Sequence, residues 1–171
     1  MSDKKVRISW CGWEADGANG YASIAKQYRT KISIMDGIEV VGNYSQNWDA
    51  IIGICTPISW LIGAHRQPRP DLVFHTMFEA EPLPPGWVEN MNCAGLIWTP
   101  SEYCADLFKR SGVTTPIVKI GYGIDHNTFA YFDRRERKQA FKVLIWGDTM
   151  MSRKNVLMSA QTFIKAALPN A

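Results

Sequence analysis

The chain has 171 residues, of which 46% are hydrophobic, 20% charged and 12% aromatic, a balance that excludes a disordered tail and a disulfide miniprotein and supports one real core. Nineteen Lys and Arg against sixteen Asp and Glu give a formal charge of +3, too weak to imply a nucleic-acid partner. No apolar stretch approaches the ~20 residues of a membrane helix, and no signal-peptide core follows the start, so a cytoplasmic protein without a membrane span is expected.

Short apolar runs separated by helical or turn-rich segments predict an α/β fold, its strands buried on both faces by flanking helices. Residues 6–10 (VRISW) read as the first strand, followed by a glycine-bearing loop at 12–20 and a helix over about 21–28. Residues 31–35 (KISIM), 50–55 (AIIGIC) and 71–75 (DLVFH) read as three further strands, with a short helix at 57–64 between the last two. Pro82, Pro84 and Pro85 break the chain, and Pro85 suits the first turn of a helix through Asn92. A strand at 95–99 (GLIWT) leads to Ser101, a good N-cap for a helix at 102–110 that Ser111-Gly112 would end.

Beyond a strand at 117–120, charged residues dominate 133–138, and Arg134, Arg135, Arg137 and Lys138 read as a solvated linker. A fresh apolar strand follows at 142–146 (KVLIW), then a closing helix at about 155–167. The composition shift divides the chain into residues 1–137 and 138–171. One strand and one helix cannot bury a core of their own, so the second part either packs on the first or opens a further domain.

The four cysteines lack C-x-x-C spacing and read as reduced, packed thiols, with Cys93 and Cys104 in helical segments. His65, His75 and His126 are far apart and form no ligand motif, so no metal is expected. No G-x-S-x-G or phosphate-loop motif occurs. The loop glycines Gly12, Gly17 and Gly20 would let a ligand approach a helix N-terminus, or serve only tight turns. Their spacing is not G-x-G-x-x-G, which disfavours a dinucleotide-binding oxidoreductase.

His75 ends a buried strand, where ligands of open α/β sheets sit, and Glu79 and Glu81 follow it. A core histidine satisfied by a hydrogen bond is the equal alternative. Arg153 and Lys154 near the last helix are either exposed cations or partners for a diphosphate. Seven tryptophans read mostly as core, with some faces free to stack on sugar rings.

The stretches PPGWVENMN at 84–92, IWTPSEYC at 97–104, FKRSGV at 108–113 and IGYGID at 120–125 together resemble the N-terminal half of GT-B glycosyltransferases, particularly family 4. Downstream, FKVLIWGDTMMSRKNVLMSAQTF at 141–163 is similar to the first strand and helix of that family's second domain. The resemblance implies a Rossmann-like, open, mostly parallel sheet flanked by helices, with the first strand and helix of a truncated donor-binding domain. It implies transfer of a hexose from a nucleotide sugar to an acceptor hydroxyl, with no cofactor or metal.

By the same resemblance His75 lies near the transferred sugar as the catalytic residue, and Gly17, Gly147, Arg153 and Lys154 meet the donor phosphates. Asn19, Gly20, Glu79 and Glu81 are then acceptor or loop contacts. The family's E-x7-E carboxylate pair belongs to the remainder of its second domain, past the strand and helix that residues 141–163 resemble, so a non-catalytic glycan-binding or split-transferase subunit is the alternative. Such a subunit would take its missing domain from a partner chain or self-associate.

Overall fold

The computed structural model describes residues 4–12, 20–42, 47–57, 67–132, 143–147 and 154–167. They form two compact units, Met1–Ile124 and Asp125–Ala171. The first contains strands β1 (Val6–Gly12), β2 (Ile38–Val41), β3 (Ala50–Ile54), β4 (Arg69–His75), β5 (Ala94–Thr99) and β6 (Ile117–Lys119), with helices α1 (Gly20–Ile32), α2 (Trp87–Met91) and α3 (Glu102–Arg110). The second contains α4 (Val156–Ala167).

The six strands make one sheet in the order β2-β1-β3-β4-β5-β6, and every pairing is parallel. This is the α/β architecture with flanking helices that the apolar runs predict. Two-residue alternation divides each strand between the faces. Ile51, Leu72, Phe74 and Ile97 pack on one side with Met91 of α2 and Cys104, Leu107 and Phe108 of α3. Ile8, Trp10, Ile52 and Ile54 pack on the other side against Tyr21, Ala25, Tyr28 and Ile32 of α1, a stripe at helical spacing. With both faces covered, the central strands read as nearly unbroken apolar runs.

Local chemistry explains the element ends. Ser101 is extended, and its hydroxyl accepts from the Cys104 amide at 3.2 Å, which starts α3 as its N-cap. Gly112 (φ 100°) then turns the chain out of that helix. Gly95 is required for contact: a Cβ there would lie 2.2 Å from the Pro70 carbonyl oxygen on β4. Cys11, Cys55, Cys93 and Cys104 are all buried free thiols.

Several expectations need correction. Residues 31–35 are not a strand: α1 runs on to Ile32 and a turn follows, while β2 begins at Ile38. Ile32 is the last member of the stripe that α1 buries, so helical packing takes the residue that an Ile-rich run assigned to a sheet. Cys93 lies in the turn after α2 rather than within a helix. Residues 143–147 carry no strand, and among the described residues no ladder partner meets them; Leu144 and Trp146 are 83% and 89% exposed. The helix expected at 57–64 lies almost wholly outside the described residues. No described helix is long and apolar enough to cross a membrane.

Candidate functional site

The strand order reverses beside β1, and in open parallel sheets ligands bind beyond the carboxyl ends of the strands near such a point. β3, β4 and β5 end in register there, with Ile54 opposite His75 and His75 opposite Trp98. His75 belongs to the α1 face of the sheet, two residues beyond Val73. Its backbone is fixed on both sides: the Cys55 amide donates to the His75 carbonyl at 3.3 Å, and the Thr76 amide donates to the Trp98 carbonyl at 3.0 Å.

The imidazole is completely buried within an aromatic box. Its ring centroid lies 4.8 Å from that of Trp98, edge-on, 5.9 Å from Tyr28 and 5.7 Å from Tyr122. Tyr28 also meets Trp98 edge-on at 4.5 Å. Neither His75 ring nitrogen has a hydrogen-bond partner among the described residues, and the buried Tyr28 Oη and Thr99 Oγ1 have none either. Buried polar atoms are nearly always paired, and the His75 nitrogens and Tyr28 Oη are orphans on the α1 face of one sheet end, where a ligand would supply what the described residues do not; Thr99, next to Trp98, turns to the opposite face.

Burial sets the electrostatics. Desolvation pushes the His75 pKa down to about 4, opposed only in part by the ring's own backbone carbonyl. The imidazole is therefore neutral at pH 7 and can accept a hydrogen bond on one nitrogen while donating one from the other. At the rim, the Tyr21 hydroxyl donates to the Met77 carbonyl at 3.4 Å, and the Tyr122 hydroxyl donates to Met77 Sδ at 3.5 Å. Both phenols are raised above their ordinary pKa, chiefly by burial, and the Glu79 carboxylate adds to both shifts. Glu79 thus stands at the same rim as Tyr21 and Tyr122.

Glu81 is engaged elsewhere. Its carboxylate pairs with the Arg110 guanidinium at the end of α3, where both side chains are more than half exposed. A surface depression lined by Glu81, Pro82, Arg110 and Ser111 holds that ion pair and no member of the histidine box. Glu79 and Glu81 therefore do not act as a pair.

Gly20 is the first residue of α1, with open space around its α-carbon. Gly17 and Asn19 lie outside the described residues. In the second unit Gly147 is drawn against the start of α4: a Cβ on it would lie 2.8 Å from Val156 Cγ2 and 3.3 Å from Lys154 Cβ. Gly147 and Lys154 are thereby neighbours, and Lys154 is exposed. Asn155 between Lys154 and α4 takes φ 52°, and its carbonyl accepts from the Ser159 amide at 3.0 Å. Arg153 lies outside the described residues. Among the described residues no group of three or more His, Cys, Asp or Glu could hold a metal.

No family model, no curated protein and no solved structure matches the chain. The rings around His75 escaped the sequence reading because Tyr28, Trp98 and Tyr122 are far apart in the chain. The one signal was the seven-residue step from Tyr21 to Tyr28, which puts both on a single face of α1.

Proposed function

We propose that the chain is a glycosyltransferase, or the N-terminal part of one, moving a hexose from a nucleotide sugar to an acceptor hydroxyl. The observation that carries the reading is His75: a neutral, fully buried imidazole at the carboxyl end of a parallel strand, with both nitrogens unpartnered among the described residues and aromatic rings around it. Sugar hydroxyls both donate and accept, and an imidazole held neutral offers one of each. Aromatic faces suit the C–H face of a hexose, and the Glu79 carboxylate at the rim is an acceptor for further hydroxyls. The GT-B family 4 resemblance of residues 75–129 supports the same reading, on an open parallel α/β sheet.

In this reading His75 orients the transferred sugar by hydrogen bonds. In the second unit, taken by itself, Arg153 and Lys154 are assigned to the donor diphosphate, whose charge two cations beside a helix start would suit. Gly147 contributes by letting the chain pass close to Lys154, and Gly17, Asn19 and Gly20 are assigned to the donor phosphates and acceptor. No step requires a metal or cofactor.

The test is calorimetric titration of the chain with UDP- and GDP-sugars. Arg153→Ala with Lys154→Ala should weaken binding by roughly tenfold or more, as expected when charge-assisted hydrogen bonds are lost. His75→Ala should lower sugar transfer while leaving affinity for the free nucleotide unchanged. Equal affinity of the double variant and the wild type would sink the proposal.

A second reading, a split-transferase or glycan-binding subunit completed by a partner chain, is favoured by one observation. In Asp125–Ala171, Leu144, Trp146, Leu157 and Ile164 are each more than half exposed. Glycan binding without transfer by the chain alone would select it.

A further inference from the structure

His75 is sealed from solvent, yet a ligand must reach it if its unpaired nitrogens are to be used. The residue over it on the side of β6 is Tyr122, whose ring centroid lies 5.7 Å from the imidazole at a 31° tilt and 6.4 Å from Tyr28. Among the described residues its polar tether is weak. Its hydroxyl donates to Met77 Sδ at 3.5 Å, and a thioether is a weak acceptor. The segment Gly121 to Phe132 is exposed throughout. It departs from a firm anchor, since the Ile120 amide donates to the Thr99 carbonyl at 3.0 Å and the Ile120 carbonyl accepts from Trp98 Nε1 at 3.2 Å.

Tyr122 stands between two glycines that this arrangement does not need. Neither Gly121 nor Gly123 has a positive φ; a Cβ on Gly121 would touch only the Pro100 carbonyl at 3.8 Å, and one on Gly123 would meet nothing within 4 Å. Gly95 and Gly112 are different, the first demanded by close contact and the second by its φ. A glycine that geometry does not require still lowers stability, because the unfolded chain gains freedom. Here that freedom flanks the Tyr122 ring that lies against the imidazole.

We infer that Gly121-Tyr122-Gly123 is a gate over His75, with the glycines as hinge and the Tyr122 ring as the leaf that swings out to admit a ligand to the imidazole and the Tyr28 hydroxyl. Opening breaks ring contacts and one weak hydrogen bond and leaves the anchor at Ile120 intact. The gate stands whatever ligand enters, so its failure and the failure of the transferase reading are separate results.

The experiment is diethyl pyrocarbonate modification of the whole chain at pH 7, read at each histidine by peptide mass spectrometry, with exposed His126 as internal standard. The pair Gly121→Ala and Gly123→Ala fits the closed arrangement and should slow His75 modification roughly fivefold, the factor that restricting two glycines carries. Tyr122→Ala should speed it roughly tenfold by removing the cover, and Tyr122→Phe should leave it near the wild-type rate. A glycine double variant with wild-type circular dichroism and the wild-type His75 rate overturns the gate. So does a folded Tyr122→Ala with that rate; the glycine pair decides alone where Tyr122→Ala loses its helical signal.

Discussion

Lowering the pH from 7 to 4.5 should destabilise this protein through one identifiable residue. His75 is held down to about 4 by burial, against 6.5 when solvated. Between those values the unfolded chain binds a proton that the folded chain refuses, so stability rises with pH across the window and falls as the pH drops from about 6.5 towards 4. At 1.36 kcal/mol for each tenfold in the protonation ratio, the full difference is worth about 3 kcal/mol. The surrounding side chains do not share the window: Tyr28 and Tyr122 are shifted upwards from an already basic range, and Trp98 does not titrate. Asp71, which hydrogen bonds from Arg69 and Trp48 hold at about 2, loses its contribution only below the window, between 3.8 and 2. Urea unfolding followed by tryptophan fluorescence at pH 7, 6, 5 and 4.5 measures the effect, and His75→Leu supplies the control. Leu gives up no hydrogen bond to another described residue, since the ring nitrogens meet none beyond the residue's own carbonyl, so the variant should lie within about 1 kcal/mol of the wild type at pH 7. It should then become the more stable protein in acid. Curves that stay parallel from pH 7 to 4.5 would refute a sequestered, neutral imidazole.

Other outcomes follow from single contacts. Ser101→Ala should cost about 1 kcal/mol in urea unfolding, because the Cys104 amide at the start of α3 loses its acceptor. Gly95→Ala should cost about 3 kcal/mol, since the added methyl meets a backbone carbonyl that can move only by parting β4 from β5. Thr99→Val should raise stability by about 1 kcal/mol by replacing a buried, unpartnered hydroxyl with a methyl of the same shape. Leu144→Ser with Trp146→Ser should lower concentration-dependent association in sedimentation velocity, as both side chains expose apolar surface; unchanged association would place the contact elsewhere.

The sheet was legible in the sequence wherever burial on both faces produced an unbroken apolar run, as at 50–54 and 94–99. The start of α3 was legible because a serine hydroxyl acts on its own helix turn, a purely local event. Residues 31–35 misled because a short Ile-rich run fits either a strand or the last turn of a buried helix, and the choice rests on what Ile32 packs against. Residues 142–146 have strand composition, but a strand exists only with a partner, and among the described residues none meets 143–146. The site was legible in part: the position of His75 at a strand end followed from the run before it. Its box did not, because register alone brings Trp98 opposite His75, and crossover connections bring Tyr28 and Tyr122 to the same end of the sheet.

The carboxyl end of this sheet is also where the fold is least economical. Each buried polar group left without a partner costs about 1–3 kcal/mol, and among the described residues His75, Tyr28 and Thr99 each contribute at least one. Against the 5–15 kcal/mol that keeps an ordinary domain folded, that is a substantial fraction concentrated in one place. Among the described residues the opposite end shows no comparable waste: Arg69 donates to both Asp71 oxygens at 3.0 and 2.9 Å, Trp48 Nε1 donates to the same carboxylate at 3.0 Å, and the Arg7 amide is met by Asp49 at 2.8 Å. The asymmetry therefore belongs to the end and not to the fold. Open parallel sheets take their ligands at the carboxyl end, and a ligand proposed to enter beside His75 would find there, among the described residues, the ring nitrogens and the Tyr28 hydroxyl without partners.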